Sequence, residues 1–322
     1  MRAIVAESPE VLTWREVPDI APAPGEVLIR VAAAGVNRAD LLQAAGLYPP
    51  PPGASQTLGL EVSGVIEAVG DEVSEWTTGQ QVCALLAGGG YAEYVAVPAP
   101  QVLPIPDGVD LVDAAGLPEV ACTVWSNLVL TAGLSEGQLL LVHGGASGVG
   151  SHAIQVARQL GAWVAVTAGS EAKLAFCREL GAEIAVNYHD DDFVAAVRDA
   201  GGADVILDIM GAAYLDRNID ALATDGKLVV IGMQGGVKGE LNLGKLISKR
   251  ARVIGTALRG RPVEGPQSKG AVVAAVTTAL WPMIGSGRIK PVIGARVPVT
   301  QAGDAHRLLA SGEVSGKVVL TL

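Results

Sequence analysis

Between Leu139 and Thr256 short apolar runs alternate with stretches of helical spacing, and few folds tolerate that rhythm. Leu139–Val142, Trp163–Thr167, Ile184–Val186, Asp204–Ile209, Lys227–Ile231 and Arg252–Thr256 read as six strands. The segments Val149–Leu160, Glu171–Leu180 and about Asp191–Ala200 between them read as helices. Parallel strands buried on both faces need a crossover helix after each strand, so this alternation predicts an α/β fold with a doubly wound, six-stranded parallel sheet.

The first of those strands runs into Leu141-Val-His-Gly-Gly-Ala-Ser-Gly-Val-Gly-Ser151, and the next segment is helical. A glycine-rich turn between a strand and a helix N-terminus lets backbone approach a pyrophosphate, and the helix supplies unpaired N–H groups and a positive dipole. Gly145, Ser147 and Gly150 hold the three positions of the G-x-G-x-x-G pattern, with serine at the middle one. Ala146, Gly148 and Val149 complete the candidate cradle. A tight turn with no ligand is the plainer alternative, and the six alternating strands argue for a Rossmann dinucleotide-binding domain.

The tip of the second strand selects the dinucleotide. A carboxylate there hydrogen-bonds a ribose 2′-hydroxyl in NAD sites. Here Thr167 leads into Ala168-Gly169-Ser170, and Glu171 comes one position late, as a first-turn helix charge. Lys173 lies one turn further on, where it can neutralise a 2′-phosphate. The residues therefore favour NADPH over NADH.

The flanking sequence has a different texture. Ala3–Ala6, Glu26–Val31, Val62–Val69 and Tyr91–Val97 read as short strands, and Tyr48-Pro-Pro-Pro-Pro-Gly53 as a stiff exposed loop. After Gly260 a loop, a helix from Ala271 to about Met283, strands at Val292–Val297 and Lys317–Leu322, and a helix at Ala302–Leu309 return to this first region. The expected division is a discontinuous β-rich domain, 1–118 with 262–322, around a dinucleotide domain at 119–261.

The 322 residues carry a net charge of −10, which argues against nucleic-acid and anionic-membrane partners. Cys83, Cys122 and Cys177 are far apart and show no metal or disulfide spacing. The N-terminus shows no signal-peptide pattern and no apolar run spans a bilayer, so a cytoplasmic location is expected.

Medium-chain alcohol dehydrogenases share this layout and hold catalytic zinc with a cysteine in G-x-C-x-x-D and a histidine in G-H-E. The matching stretches here are Gly35-Val-Asn-Arg-Ala-Asp40 and Gly59-Leu-Glu61. Asn37 and Leu60 stand at the ligand positions, and neither belongs to the usual ligand set of zinc. With Gly46-Leu-Tyr-Pro-Pro-Pro-Pro-Gly53, Leu58-Gly-Leu-Glu-Val-Ser-Gly64 and Gly316-Lys-Val-Val-Leu320, the whole chain resembles the zinc-independent, zeta-crystallin-like quinone oxidoreductases of the medium-chain dehydrogenase/reductase superfamily.

That resemblance implies a GroES-like fold for the β-rich catalytic domain and hydride transfer from NADPH to a quinone or related enone. It implies that Ser170, Lys173 and Tyr188 hold the 2′-phosphate. The backbone of Ile231, Gly232, Met233 and Gln234, with that of Leu258 and Arg259, would line the nicotinamide half, and Lys317 would reach toward the cofactor. Substrate is expected in an interdomain cleft, bounded by Asn37, Tyr48 and Thr123, with Asn37 and Tyr48 donating to its carbonyl. A homodimer pairing through the strand near Val253–Ala257 is expected from the superfamily. Reduction of an alkenal or enoyl thioester, and a non-catalytic NADPH-binding role, remain open alternatives.

Overall fold

The computed structural model describes all 322 residues. Two compact units divide the chain, one comprising Met1–Cys122 and Leu258–Leu322 and the other Thr123–Ala257.

The first unit opens with the antiparallel pair β1 (Arg2–Ser8) and β2 (Val11–Glu16). There follow β3 (Glu26–Val36), α1 (Arg38–Ala44), β4 (Glu61–Val69), β5 (Gln81–Leu85), β6 (Tyr94–Pro98) and β7 (Val102–Pro104), then α2 (Leu111–Ala114) and α3 (Pro118–Val124). Strand β3 is longer than its sequence pattern suggests, because Ala32–Gly35 stays extended between two partners. Small side chains let neighbouring elements close over it. The interior of this unit is built on Ile4, Val27, Ile29, Leu58, Val62, Ile66, Tyr91 and Val318.

The second unit holds the sheet read from the sequence. Its elements are β8 (Leu139–His143), α4 (Gly148–Gln159), β9 (Trp163–Ala168), α5 (Glu171–Glu179), β10 (Ile184–Asn187), α6 (Phe193–Asp199), β11 (Ala203–Asp208), α7 (Leu215–Ala221), β12 (Leu222–Val230), α8 (Leu243–Ser248) and β13 (Arg252–Gly255). The sheet order is β10-β9-β8-β11-β12-β13 and every ladder is parallel. The order reverses between β8 and β11, which is where ligands meet the carboxyl ends of such sheets.

The chain then returns to the first unit with α9 (Lys269–Ala279), α10 (Trp281–Gly285), β14 (Ile293–Pro298), α11 (Ala302–Ser311) and β15 (Lys317–Thr321). The helix expected as one piece after Ala271 is two, because Pro282 sits in the first turn of α10, where its missing N–H costs nothing. Strands β14 and β15 extend the first unit's sheet, giving the order β14-β15-β3-β4-β5-β7 with β6 paired to β3. No helix is long and apolar enough to cross a membrane.

Candidate active site

The glycine-rich turn after β8 is held by its neighbours before any ligand is considered. Gly144 and Gly145 donate their N–H groups to the Thr167 carbonyl of β9, at 3.1 and 3.0 Å. A Cβ on Gly145 would lie 2.7 Å from that of Val166, and one on Gly150 would run into the Gly144 carbonyl oxygen. Ser147 caps α4, its hydroxyl accepting the Gly150 N–H at 3.0 Å. Gly145 and Gly150 therefore shape the turn. The N–H groups of Gly148 and Val149, in the first helical turn, have no intrahelical acceptor and face the anion-binding end of the helix. Such unpaired N–H groups at a helix N-terminus fit a pyrophosphate.

At the tip of β9, Ser170 caps α5 by accepting the Lys173 N–H at 3.4 Å, and the Lys173 side chain is half-buried. Tyr188 follows β10, with its hydroxyl lying where a Cβ on Gly169 would point. The neighbouring His189, which the sequence reading did not single out, brings its Nε2 to 3.3 Å of the same point, and the two rings lie 4.5 Å apart. Its signal was only adjacency to Tyr188. The structure thus gathers Ser170 and Tyr188 at a strand end that bears no carboxylate.

The loop Ile231–Gln234 after β12 is tied to the end of β11. Ile231 and Gly232 donate to the Asp208 carbonyl at 2.8 and 3.3 Å, and Gln234 to that of Ile209 at 3.1 Å. The Asp208 carboxylate accepts the N–H groups of Met210 and Gly211, at 2.8 and 2.9 Å. Burial raises its pKa against those bonds. Met233 is exposed. Thr123 lies near the end of α3, and its carbonyl accepts from Ser126 Oγ at 3.2 Å and Asn127 Nδ2 at 2.7 Å.

In the first unit the residues at the zinc-ligand positions do something else. Leu60 is packed in the core. Asn37, between β3 and α1, donates from Nδ2 to Glu61 Oε1 at 2.9 Å. Glu61, fully buried, also accepts the Glu119 N–H at 2.9 Å. Lys317 is expected to reach toward a cofactor, yet its ammonium is turned inward. It meets Glu61 Oε1 and Asn37 Oδ1, both at 2.6 Å, and the Val36 carbonyl at 3.1 Å. Two of these contacts are hydrogen bonds, and the one to Glu61 is an ion pair. No group of three or more His, Cys, Asp or Glu side chains is arranged to hold a metal ion.

Tyr48 sits half-buried in the proline loop. Burial raises the pKa of its hydroxyl and the Glu119 carboxylate adds to this, while Arg259 opposes it. Arg259 is expected to line the nicotinamide half with its backbone, and its guanidinium bonds within the first unit. It donates to Ala87 O at 2.8 Å, Tyr48 O at 3.2 Å and Gln43 Oε1 at 2.6 Å, and lies 5.2 Å from the Tyr48 ring centroid. Leu258 is buried beside it in the same unit. Arg259 thus clamps the Tyr48 loop, a role invisible in sequence because its partners lie far away along the chain.

Two family models match the chain: an alcohol dehydrogenase GroES-like domain over residues 23–107 and a zinc-binding dehydrogenase over 148–271. Human quinone oxidoreductase is 31% identical, the alignment covering 98% of this chain and 94% of the relative. Among solved structures, Escherichia coli quinone oxidoreductase complexed with NADPH superposes with a TM-score of 0.89 at 28% identity, covering 100% and 99% of the two chains. A structure described as an NAD-dependent alcohol dehydrogenase superposes with a TM-score of 0.88 at 31% identity, covering both chains fully.

Proposed function

Since this chain belongs to the quinone oxidoreductase family of medium-chain dehydrogenase/reductases, we propose that it transfers a hydride from NADPH to a small quinone or related enone. The observation that carries the cofactor choice is the tip of β9. An acid there would bond a bare ribose hydroxyl, whereas Ala168-Gly169-Ser170 carries none and the Tyr188 hydroxyl lies over Gly169. Gly148 and Val149 bind the pyrophosphate, within a turn shaped by Gly145, Ala146, Ser147 and Gly150. Ser170, Lys173 and Tyr188 bind the 2′-phosphate, and the backbone of Ile231–Gln234 orients the nicotinamide half.

When bound, NADPH supplies the hydride from its dihydronicotinamide ring. The chain's task is to stabilise charge on the acceptor's oxygen. Asn37 donates an amide N–H and Tyr48 its hydroxyl to that oxygen. The Tyr48 hydroxyl carries its proton at neutral pH, as any phenol with a pKa at or above the usual 10 does. Such neutral donors suffice for a quinone, which is already electrophilic. We also read the reaction as zinc-independent, because Asn37 and Leu60 stand at the ligand positions and the Lys317 ammonium beside Asn37 would repel a divalent cation.

Two further properties belong to this reading. The exposed side chains of Val237, Leu243, Ile247 and Val253 cluster in sequence around the open edge strand β13, which supports a homodimer paired there. All three cysteines are free and buried, which suits the reducing cytoplasm.

The test follows NADPH absorbance with 1,4-benzoquinone, an alkenal and a crotonyl thioester, with NADH run in parallel. Consumption is expected to be fastest with NADPH and benzoquinone, and unchanged after dialysis against EDTA. Binding of NADPH without turnover of any acceptor would replace the enzyme reading by a binding role. Turnover confined to the thioester would replace the substrate, and loss of activity on chelation would restore a metal to the site.

A further inference from the structure

We propose that the buried Lys317–Glu61 pair is a positioning device that sets which way the Asn37 amide faces and so presents one of its N–H groups to the substrate carbonyl. This rests on the quinone-reductase reading for its chemical meaning, although the orientation stands on geometry alone.

The sheet brings the three residues to one edge. Strand β3 ends at Val36, immediately before Asn37. Strand β4 starts at Glu61 and β15 at Lys317, and both flank β3. Gly35 makes the arrangement possible, because any Cβ there would overlap the Glu61 carboxylate. Asn37 itself is pinned at the backbone, its N–H donating to Asp40 Oδ2 at 2.8 Å.

An asparagine amide in water has no preferred face. Here its two ends lie against opposite charges. Oδ1 accepts from the Lys317 ammonium at 2.6 Å, and Nδ2 donates to the Glu61 carboxylate at 2.9 Å. Turning the amide over would set its carbonyl against the carboxylate and its NH2 against the ammonium. Two charge-assisted hydrogen bonds would become two repulsions. The orientation is therefore single-valued. The second Nδ2 hydrogen has only the Gly35 carbonyl at 3.5 Å, too long for a good bond, and Asn37 is half-buried rather than sealed. That hydrogen is the donor available to a substrate oxygen.

Stability does not explain the pair. Lys317 is 5% exposed and Glu61 0%, and a buried ion pair of this kind is often matched by an apolar pair of similar volume. Fixing a neighbour's donor direction is a reason to keep it. Lys317 is buried and turned onto Glu61, Asn37 and the Val36 carbonyl, so it acts through Asn37.

The experiment is a double-mutant cycle on kcat with benzoquinone, using Asn37→Ala, Lys317→Met and the two together, with the dissociation constant of NADPH measured for each. Each single variant is expected to lose on the order of a hundredfold in kcat. The combined variant should lose no more than either, because Lys317 acts only through the amide. NADPH binding should stay within about threefold. Losses that multiply, or wild-type kcat in Lys317→Met, would overturn the proposal. If Lys317→Met fails to fold because Glu61 is stranded, the uncharged pair Lys317→Met with Glu61→Leu takes its place. That pair is expected to fold and to show the same loss, and wild-type turnover in it would be equally fatal. Neutron diffraction on the resting protein gives a readout independent of turnover. Two deuterons are expected on the Asn37 atom facing Glu61, and oxygen there would overturn the proposal whatever the acceptor proves to be. A different acceptor with the amide oriented as described would correct only the substrate.

Discussion

Selectivity between dinucleotides comes down to a few atoms beyond β9. Ser170 accepts the Lys173 N–H in the helix cap and keeps its own O–H to donate to a 2′-phosphate, while the positive charge must come from a neighbouring side chain. Lys173, one turn into α5, is the residue we assign to that charge. Lys173→Ala is expected to raise the NADPH Michaelis constant by about ten- to a hundredfold, the usual size of a lost hydrogen bond to a charged group, and to leave that for NADH almost unmoved. Equal effects on the two cofactors in steady-state kinetics would remove Lys173 from the site. The acid-free strand tip was legible because it depends on neighbours in sequence, whereas Ser170 entered only through the family resemblance. The Asn37–Lys317 bond joins residues 280 positions apart. Only a charged residue opening the apolar run Glu61–Ile66 hinted that a buried partner must exist.

Elements whose periodicity was clean, such as α4 and the strands β8 to β11, were legible within a residue or two. Strand β12 was not. The sequence suggests a start at Lys227, since Thr224-Asp225-Gly226 has turn chemistry, and Asp225 does adopt φ 65°. The strand nevertheless begins at Leu222, absorbing the irregularity as a register shift against β11. Long-range pairing overrides local preference there. The outer strand β13 is the element on which the dimer reading rests. A charge on an open edge blocks pairing with a second copy, so Val253→Lys is expected to turn a dimer into a monomer in light scattering. Its melting temperature should stay close to wild type when measured at low concentration. A wild-type chain that is monomeric, or a Val253→Lys dimer, would move the interface elsewhere.

Acid should act unequally on the two units. Burial lowers the pKa of His143 and His152, both in the second unit, to about 4, and that of His306 in the first to the same level. Each native histidine thus refuses a proton that the unfolded chain takes up near pH 6.5. Its contribution to stability is complete above that value and is lost as pH falls toward 4. Each amounts to on the order of 3 kcal/mol. Asp40 has the opposite sign. Burial raises its pKa to about 6, so the native state holds a proton that the unfolded chain releases near 3.8, and stability falls as pH rises through that window. In the first unit His306 and Asp40 nearly cancel over the same range. In the second, two histidines act together and only Asp208, raised by burial, opposes them. Hydrogen exchange corrected for its intrinsic pH dependence is therefore expected to show protection in Leu139–Gln159 falling steeply between pH 6.5 and 4.5. Protection in Glu26–Val36 should change little. His152, whose Nε2 has no hydrogen-bond partner, can be replaced without stranding another group, and His152→Met should remove about one proton from the slope of the second unit. A parallel fall in both units, with His152→Met unchanged, would mean that acid acts through the net surface charge instead of these buried rings.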